Sequence, residues 1–445
     1  MDLSNIFKAY DVRGVFPDQL DEESARCIGS AFAEFVSADE VIVGYDCRLS
    51  SPALCEALVD GITRQGVDVR LIGEVPTDVL YYASGALSLP GVVITASHNP
   101  PQYNGMKFCQ AAAAPIGEET GLADIQQMAE RGVPPHQHRG SVSEQNVIDG
   151  YVEHVLSTTG ASGIAGLTVA ADGGNGMAGV ALAQVFDCID ANLLGLYLDP
   201  DGTFPNHPAD PLRPENLVDL TALVDEEAAD IGVAFDGDAD RAFFIDDKGV
   251  PLPGSTTTAI IADWFLERHA GATIVHNLIC SKAVPETVEA AGGLAIRTKV
   301  GHSYIKQIMA DTGAVFGGEH SGHYYFKDNF RADSGIMAML IVLRVLSDAG
   351  VPLSELRLRY EPYAQSGEIN FTVADKEAAD AAVVRAFAQV PPDRMDGLTI
   401  DLGDRWFNLR PSNTEPVLRL NVEGPDDEAV EELVEQIAAI IKEES

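Results

Sequence analysis

The sequence predicts an α/β protein: three repeated α/β domains with mixed, largely parallel sheets, followed by a smaller C-terminal α+β domain. Three observations carry this. Short apolar runs rich in β-branched residues alternate with stretches of helical period, the pattern of strands joined by crossover helices. Each of the first three units sends such a strand into a polar loop, at a period of about a hundred residues, the size of a small domain. Past Pro362 the pattern changes to four strand-like runs (368–373, 398–402, 406–409, 417–422) with helices near 376–388 and 426–442. At 445 residues the chain exceeds one ordinary core. The boundaries expected are 1–146, 147–249, 250–361 and 362–445.

The first unit opens with Lys8, Tyr10 and Arg13 close together before a Gly turn. A helix is expected over 21–36, then a strand at 40–46. Arg48, Ser50 and Pro52 precede the next helix, and a further strand lies at 67–72. Val92, Val93 and Ile94 read as a buried strand. Pro100 and Pro101 forbid an immediate helix, so Ser97 stands on a loop at a strand end, beside His98. Taken alone, a Ser-His pair is better explained by turn chemistry than by a nucleophile. Lys107 follows on the next strand, and 132–146 reads as loop.

The second unit starts with a strand at 167–171 and a loop in which Gly174, Gly176 and Gly179 satisfy G-x-G-x-x-G. Asp199 follows the next strand (193–198), where a ribose-binding carboxylate would stand, so a dinucleotide-dependent oxidoreductase is a rival reading. Against it, Asp199 runs into a Pro-rich excursion rather than a tidy strand end. The strand beginning at Ile231 then meets Asp236, Asp238 and Asp240, expected to point one way from an extended loop end. Such carboxylates repel unless a cation lies between them, and hard oxygen donors suit Mg²⁺. An EF-hand is excluded, since Arg241 stands where that loop needs Gly and Asp247 where it needs Glu.

The third unit has a strand at 273–278, then Ser281 and Lys282, a helix at 284–291, and a polar cluster of Lys299, Gly301, His302 and Ser303. Helices are expected at 258–266 and 334–346. Glu319, Ser321 and His323 alternate, so an extended backbone would project all three to one side, toward neutral diols of a sugar ring. In the fourth domain the 410–416 loop offers a guanidinium, hydroxyls and backbone N–H groups, the makings of a phosphate nest that Arg419 joins.

Net charge is -39, with 68 acidic against 29 basic residues, which argues against nucleic acid or an anionic membrane as partner. Six scattered cysteines show no C-x-x-C pair, so neither a zinc site nor a disulfide framework is expected. No apolar run approaches the ~20 residues of a membrane span. The N-terminal residues form no signal-peptide core, and a cytoplasmic location is expected.

Four motifs agree in order: Thr95-Ala-Ser-His-Asn-Pro, Asp236-Gly-Asp-Ala-Asp-Arg, Gly318-Glu-His-Ser-Gly-His and Arg410-Pro-Ser-Asn-Thr-Glu-Pro. Together they resemble the α-D-phosphohexomutase superfamily, most closely its bacterial phosphomannomutase/phosphoglucomutase branch. Lys8-Ala-Tyr-Asp-Val-Arg-Gly and Asp201-Gly-Thr-Phe-Pro-Asn-His-Pro fit that branch too, and the resemblance runs nearly end to end. It implies four domains around a central cleft. It also implies Mg²⁺-dependent, reversible phosphoryl transfer between C1 and C6 of mannose or glucose phosphate, through a phosphoserine and a hexose 1,6-bisphosphate. Ser97 matches the phosphoserine, with Asp236, Asp238 and Asp240 completing the metal ligands. Glu319 and Ser321 match sugar-hydroxyl contacts, and Arg410, Ser412, Asn413 and Thr414 the distal phosphate site. Arg13, Lys107, Arg241, His302 and His323 match the charged lining of the cleft, which Tyr10, His98, Lys282 and Arg419 are expected to join; His323 or Lys107 is the candidate base. The partners expected are small hexose phosphates, acting on a monomer or weak homodimer. His320 departs within the sugar motif and leaves mannose and glucose open. A phosphoglucosamine mutase would be expected to carry Gly in place of Asn413 and Gln in place of His320.

Overall fold

The computed structural model describes residues 2–411 and 417–443, with the side chain of His302 outside the description. Three of its four sheets repeat one topology. In the first, Asp68–Glu74, Glu40–Tyr45 and Gly91–Ile94 lie parallel in that order, and Tyr103–Gln110 returns antiparallel beside the last. The second sheet runs Asp190–Leu196, Ala165–Asp172, Ile231–Phe235, with Ala242–Asp246 antiparallel. The third runs Leu294–Thr298, Thr273–Asn277, Phe316–Gly318, with Tyr324–Phe326 antiparallel. Each unit thus has its second strand, first, third and fourth side by side. The hairpin from third to fourth strand is, in every case, the polar loop singled out in the sequence. A repeat faint in side chains is plain in topology.

The fourth sheet is wholly antiparallel, Ala364–Thr372, Val417–Gly424, Trp406–Pro411, Leu398–Asp401, and shares its own apolar core with the helices Lys376–Ala386 and Asp427–Glu443. The largest core instead runs through the first three units, from Ile42 through Val233 to Tyr360. At its centre lies the helix Gly335–Ala349, buried from Gly335 through Leu343. That burial accounts for the chain's most apolar stretch, and no single helix among the described residues is long and apolar enough to cross a membrane.

Two local expectations are corrected. The aspartates do not leave an extended strand end: the chain turns at once, with Ala239 left-handed at φ 60°. Glu319, Ser321 and His323 do not alternate on a strand either. They form a hairpin turn closed by the Glu319 N–H donating to the His323 carbonyl, with Gly322 at φ +85°, a conformation glycine adopts without strain.

One carboxylate ties the first three units together. Asp78, in the first turn of the helix Thr77–Leu87, accepts from Tyr151 of the helix Ile148–Thr159 and, at 2.7 Å, from Ser334, the N-cap of Gly335–Ala349. Burial raises its pKa to about 7 despite these two hydroxyl donors, with the charges of Asp240 and Asp333 adding to the rise. A carboxyl whose folded pKa lies above its unfolded value binds more protons in the folded state. Its cost is absent below about pH 4, grows as pH rises, and is complete above pH 7, at up to roughly 4 kcal/mol. Asp78→Asn should therefore stabilise the protein increasingly between pH 4 and 7, read as the difference in thermal midpoint from the parent. A difference flat with pH would contradict this assignment.

Candidate active site

The three hairpin loops converge, the first meeting the second through Ser97 and Asp236 and the second meeting the third through Arg241 and His323. Ser97 is nearly buried and takes the left-handed conformation, φ 51°, its N–H donating to Thr95 Oγ1 at 2.9 Å. Its hydroxyl donates to Asp236 Oδ2 at 2.7 Å, across 139 positions of sequence, and lies 3.1 Å from His98 Nδ1. The two loops can approach so closely because position 237 is glycine: a Cβ there would lie 2.4 Å from the Ser97 carbonyl oxygen.

Oxygens of Asp236, Asp238 and Asp240 lie within 4.8 Å of one another, and all three residues are buried. Arg241 Nε donates to Asp236 Oδ2 at 2.9 Å. Lys107 Nζ bridges Asp238 and Asp240 at 2.6 and 2.5 Å. Burial pushes the Asp236 carboxyl up to about 8; the Arg241 guanidinium opposes the rise, and the charges of Asp240 and Asp238 add to it. For Asp238 burial acts the same way, but the ammonium of Lys107 outweighs it and holds the carboxyl well below its usual range. Lys107 is in turn kept protonated, burial being overcome by Asp238 and Asp240. His98 is held neutral, first by burial and then by Arg241 and Arg13.

This donor set fits a divalent cation. Three hard carboxylates share one small volume, and Asp238 Oδ1 and Asp240 Oδ1 are buried with no hydrogen-bond donor among the described residues. An EF-hand-like Gly is not needed, because the loop is shaped from outside. Thr77 donates its N–H to the Asp238 carbonyl (3.0 Å) and its hydroxyl to Asp238 Oδ2 (2.6 Å). The Gly335 N–H donates to the Ala239 carbonyl at 3.3 Å. Two helix N-termini thus point at the acidic loop, where their dipoles favour negative charge. Thr77 escaped the sequence reading; its signal was Pro76-Thr77 opening a helix directly after a strand.

Other expected residues sort into near and far. Arg13 donates to Asn99 Oδ1 and to Asp11, holding the loop after Ser97. His323 reaches the acidic cluster, Nε2 lying 3.7 Å from Asp240 Oδ1 and Nδ1 3.1 Å from Ser321 Oγ. Its backbone pairs with Arg241, joining the second and third loops. Glu319 is buried and accepts from Asn277 Nδ2, the Gly301 N–H and the Tyr325 hydroxyl. Tyr10 packs against Gly301. Lys282 spans the seam to the fourth unit, donating to Asp401 Oδ1 (2.9 Å) and the Gly403 carbonyl (3.1 Å). Arg410 and Arg419 stand directly opposite on adjacent strands, each 3.3 Å from a Glu368 oxygen. Ser412, Asn413, Thr414 and the His302 side chain lie outside the described residues.

The glycines of the rival nucleotide motif have a packing role. A Cβ on Gly176 would lie 2.8 Å from Gly237 Cα, and one on Gly179 only 1.9 Å from the Leu198 carbonyl oxygen. The Met177 N–H donates to the Gly237 carbonyl at 2.9 Å. Where a pyrophosphate would need open backbone, the acidic loop is already seated.

The family models for phosphoglucomutase/phosphomannomutase match in chain order: alpha/beta/alpha domain I over 4–133, domain II over 149–249, domain III over 253–363 and the C-terminal domain over 368–440. A phosphomannomutase of Salmonella montevideo is 41% identical over 437 residues, covering 95% of each chain. A Xanthomonas campestris protein described as phosphohexose mutases is 40% identical, covering 95% of this chain and 96% of its own. Among solved structures, a phosphoglucomutase/phosphomannomutase family protein of Burkholderia thailandensis superposes with a TM-score of 0.90 at 33% identity, covering 99% of this chain and 98% of that one.

The acidic cluster makes its own prediction. Mg²⁺ at a hundred times its dissociation constant should stabilise the fold by about 2.7 kcal/mol, raising the thermal midpoint. Asp238→Asn should lose most of that rise. An equal rise in both proteins would place the cation elsewhere.

Proposed function

The chain belongs to the phosphoglucomutase/phosphomannomutase family and is a phosphohexomutase, an isomerase of hexose phosphates, and from that premise we propose that Ser97 carries the phosphoryl group it moves. The reaction is reversible transfer between C1 and C6 of mannose or glucose phosphate. The observation that carries the reading is the Ser97 hydroxyl 2.7 Å from Asp236 Oδ2, with two further carboxylates and the charges of Arg241 and Lys107 around it. We take the working units as 1–146, 147–249, 250–361 and 362–445, with the cleft between them.

In the forward direction the bond between phosphorus and Ser97 Oγ breaks as one forms to the free hydroxyl of the bound hexose phosphate. The proton of that hydroxyl goes to a base, and a hexose 1,6-bisphosphate results. After the bisphosphate turns around, its other phosphoryl group returns to Ser97 and the proton goes back to the freed sugar oxygen. Asp236, Asp238 and Asp240 would hold Mg²⁺, which when bound supplies charge neutralisation at the transferring group. Arg241 and Arg13 are placed to bind its oxygens. The base is His323, whose Nε2 lies 3.7 Å from Asp240 Oδ1, or Lys107, whose ammonium must leave Asp238 and Asp240 when the cation binds. Neutral His98 hydrogen-bonds Ser97 Oγ and adds no charge.

At the far end, two guanidiniums stand directly opposite on neighbouring strands, and the one Glu368 carboxylate beside them leaves a net positive pair that suits an anion. We assign Arg410 and Arg419 to the distal phosphate, with Ser412, Asn413 and Thr414 of the same motif. Glu319 and Ser321 present the third loop to the sugar hydroxyls. Tyr10 lines the approach beside His302, and Lys282 enters the cleft only if the fourth unit shifts.

Intact-mass measurement of the purified protein should show a fraction heavier by one phosphoryl group, mapping to Ser97. Ser97→Ala should lower kcat by roughly a thousandfold or more. Full turnover by that variant would sink the reading. Hexose phosphates should raise the thermal midpoint where NAD(P) and FAD leave it unchanged; the reverse pattern would revive a nucleotide enzyme. In a coupled assay, mannose and glucose phosphates should outrun glucosamine phosphate.

A further inference from the structure

Arg48 belongs to none of the four motifs, yet its side chain is fully buried. All five of its guanidinium N–H donors are used. Nε donates to Asp46 Oδ2 at 3.1 Å. One terminal nitrogen donates to the carbonyls of Pro100 and Tyr103, both at 2.9 Å, and the other to those of Ser97 and Asn99, both at 2.7 Å. Four carbonyls of a single loop converge on one cation. Asp46 is fixed in turn by the Ser51 hydroxyl and the Arg48 N–H. The ring of Phe204, from the second unit, covers the guanidinium with its centroid 5.1 Å away.

The Ser97 backbone needs such a hold. A left-handed φ in a residue with a side chain is strained and persists only where the surroundings impose it. Here the Ser97 carbonyl is gripped by Arg48 and pressed against Gly237, while its N–H is tied to Thr95. With the backbone so fixed, Oγ is aimed at Asp236. A neutral polar residue could satisfy one or two of the four carbonyls; the planar fork of arginine reaches all of them.

We propose that Arg48 is the positioning residue for Ser97: it holds the left-handed backbone that aims the hydroxyl at the acidic cluster, and Phe204 couples that hold to the second unit. This rests on the reading of Ser97 as the phosphoryl carrier. Lysine at 48 keeps the charge but gathers its three donors on one nitrogen, so it cannot span the four carbonyls.

The test is Arg48→Lys, with Phe204→Leu as a milder variant that leaves the hydrogen bonds in place but loosens the guanidinium. For Arg48→Lys, kcat should fall about a hundredfold, the cost of misplacing a reacting atom by about an ångström. Phosphorylation of Ser97 by glucose 1,6-bisphosphate, followed by mass, should slow equally. KM for the hexose phosphate should stay unchanged, because its recognition does not depend on the Ser97 backbone, while the Mg²⁺-induced rise in thermal midpoint should persist through the three aspartates. Phe204→Leu should show a smaller loss of the same kind, in kcat and not in KM; if Arg48→Lys does not fold, this variant decides. Wild-type kcat in either folded variant, or kcat, KM and thermal midpoint falling together, would overturn the proposal. A parent protein that never carries phosphate on Ser97 would instead overturn the reading beneath it.

Discussion

Three carboxylates in one buried volume repel unless positive charge lies among them, and the first three units are arranged to meet that demand. Asp236, Asp238 and Asp240 come from one loop of the second unit, but the basic side chains that face them come from all three units. Lys107 arrives from the first unit, Arg241 from the loop's own end, and His323 from the third. A repeated topology makes this possible. Each unit offers one hairpin at the same sheet edge, so three copies facing inward bring together three loops of different chemistry: a hydroxyl, an acid cluster and an imidazole.

The closeness of the loops depends on residues without side chains. Gly237 lets the acidic loop touch the Ser97 carbonyl, Gly176 backs Gly237, and Gly335 admits the carbonyls of Ala239 and Arg241. Helix N-termini at Thr77 and Gly335 complete the shell and favour the negative charge it encloses. The fourth unit is built on other terms. It has its own core, and its seam with the third unit is polar: Lys282 to Asp401, Arg297 to Asp393, and the Val300 N–H to Asp396. A seam of that kind costs little to open, which suits the distal phosphate site proposed there.

Much of this was legible in the sequence, for a physical reason. A β-branched run that stops abruptly at a polar loop announces a strand end, so Ser97 and the aspartates could be placed on loops of an α/β fold before any coordinates. The fourth unit was equally plain, because its last three strands follow one another as antiparallel neighbours with no helix between them. What failed was whatever depends on turn geometry or on distant partners. The 319–323 segment looked like a strand because alternation is blind to a left-handed Gly322. The glycines at 174, 176 and 179 looked like a nucleotide loop because a local motif does not reveal what its backbone faces. Thr77 and Arg48 gave local signals but none of their partners: each acts on a loop far along the chain, and only the fold brings them together.

The central claim is that the Ser97 hydroxyl and the three aspartates share one divalent ion. The most direct measurement is an anomalous-difference map from crystals soaked in Mn²⁺, which binds the same hard oxygen donors. The account predicts one strong peak about 2.2 Å from oxygens of Asp236, Asp238 and Asp240 and within coordination reach of Ser97 Oγ or its phosphate, with the Lys107 ammonium displaced. A map with no peak there, or with the ion elsewhere and Lys107 still bridging Asp238 and Asp240, would contradict it.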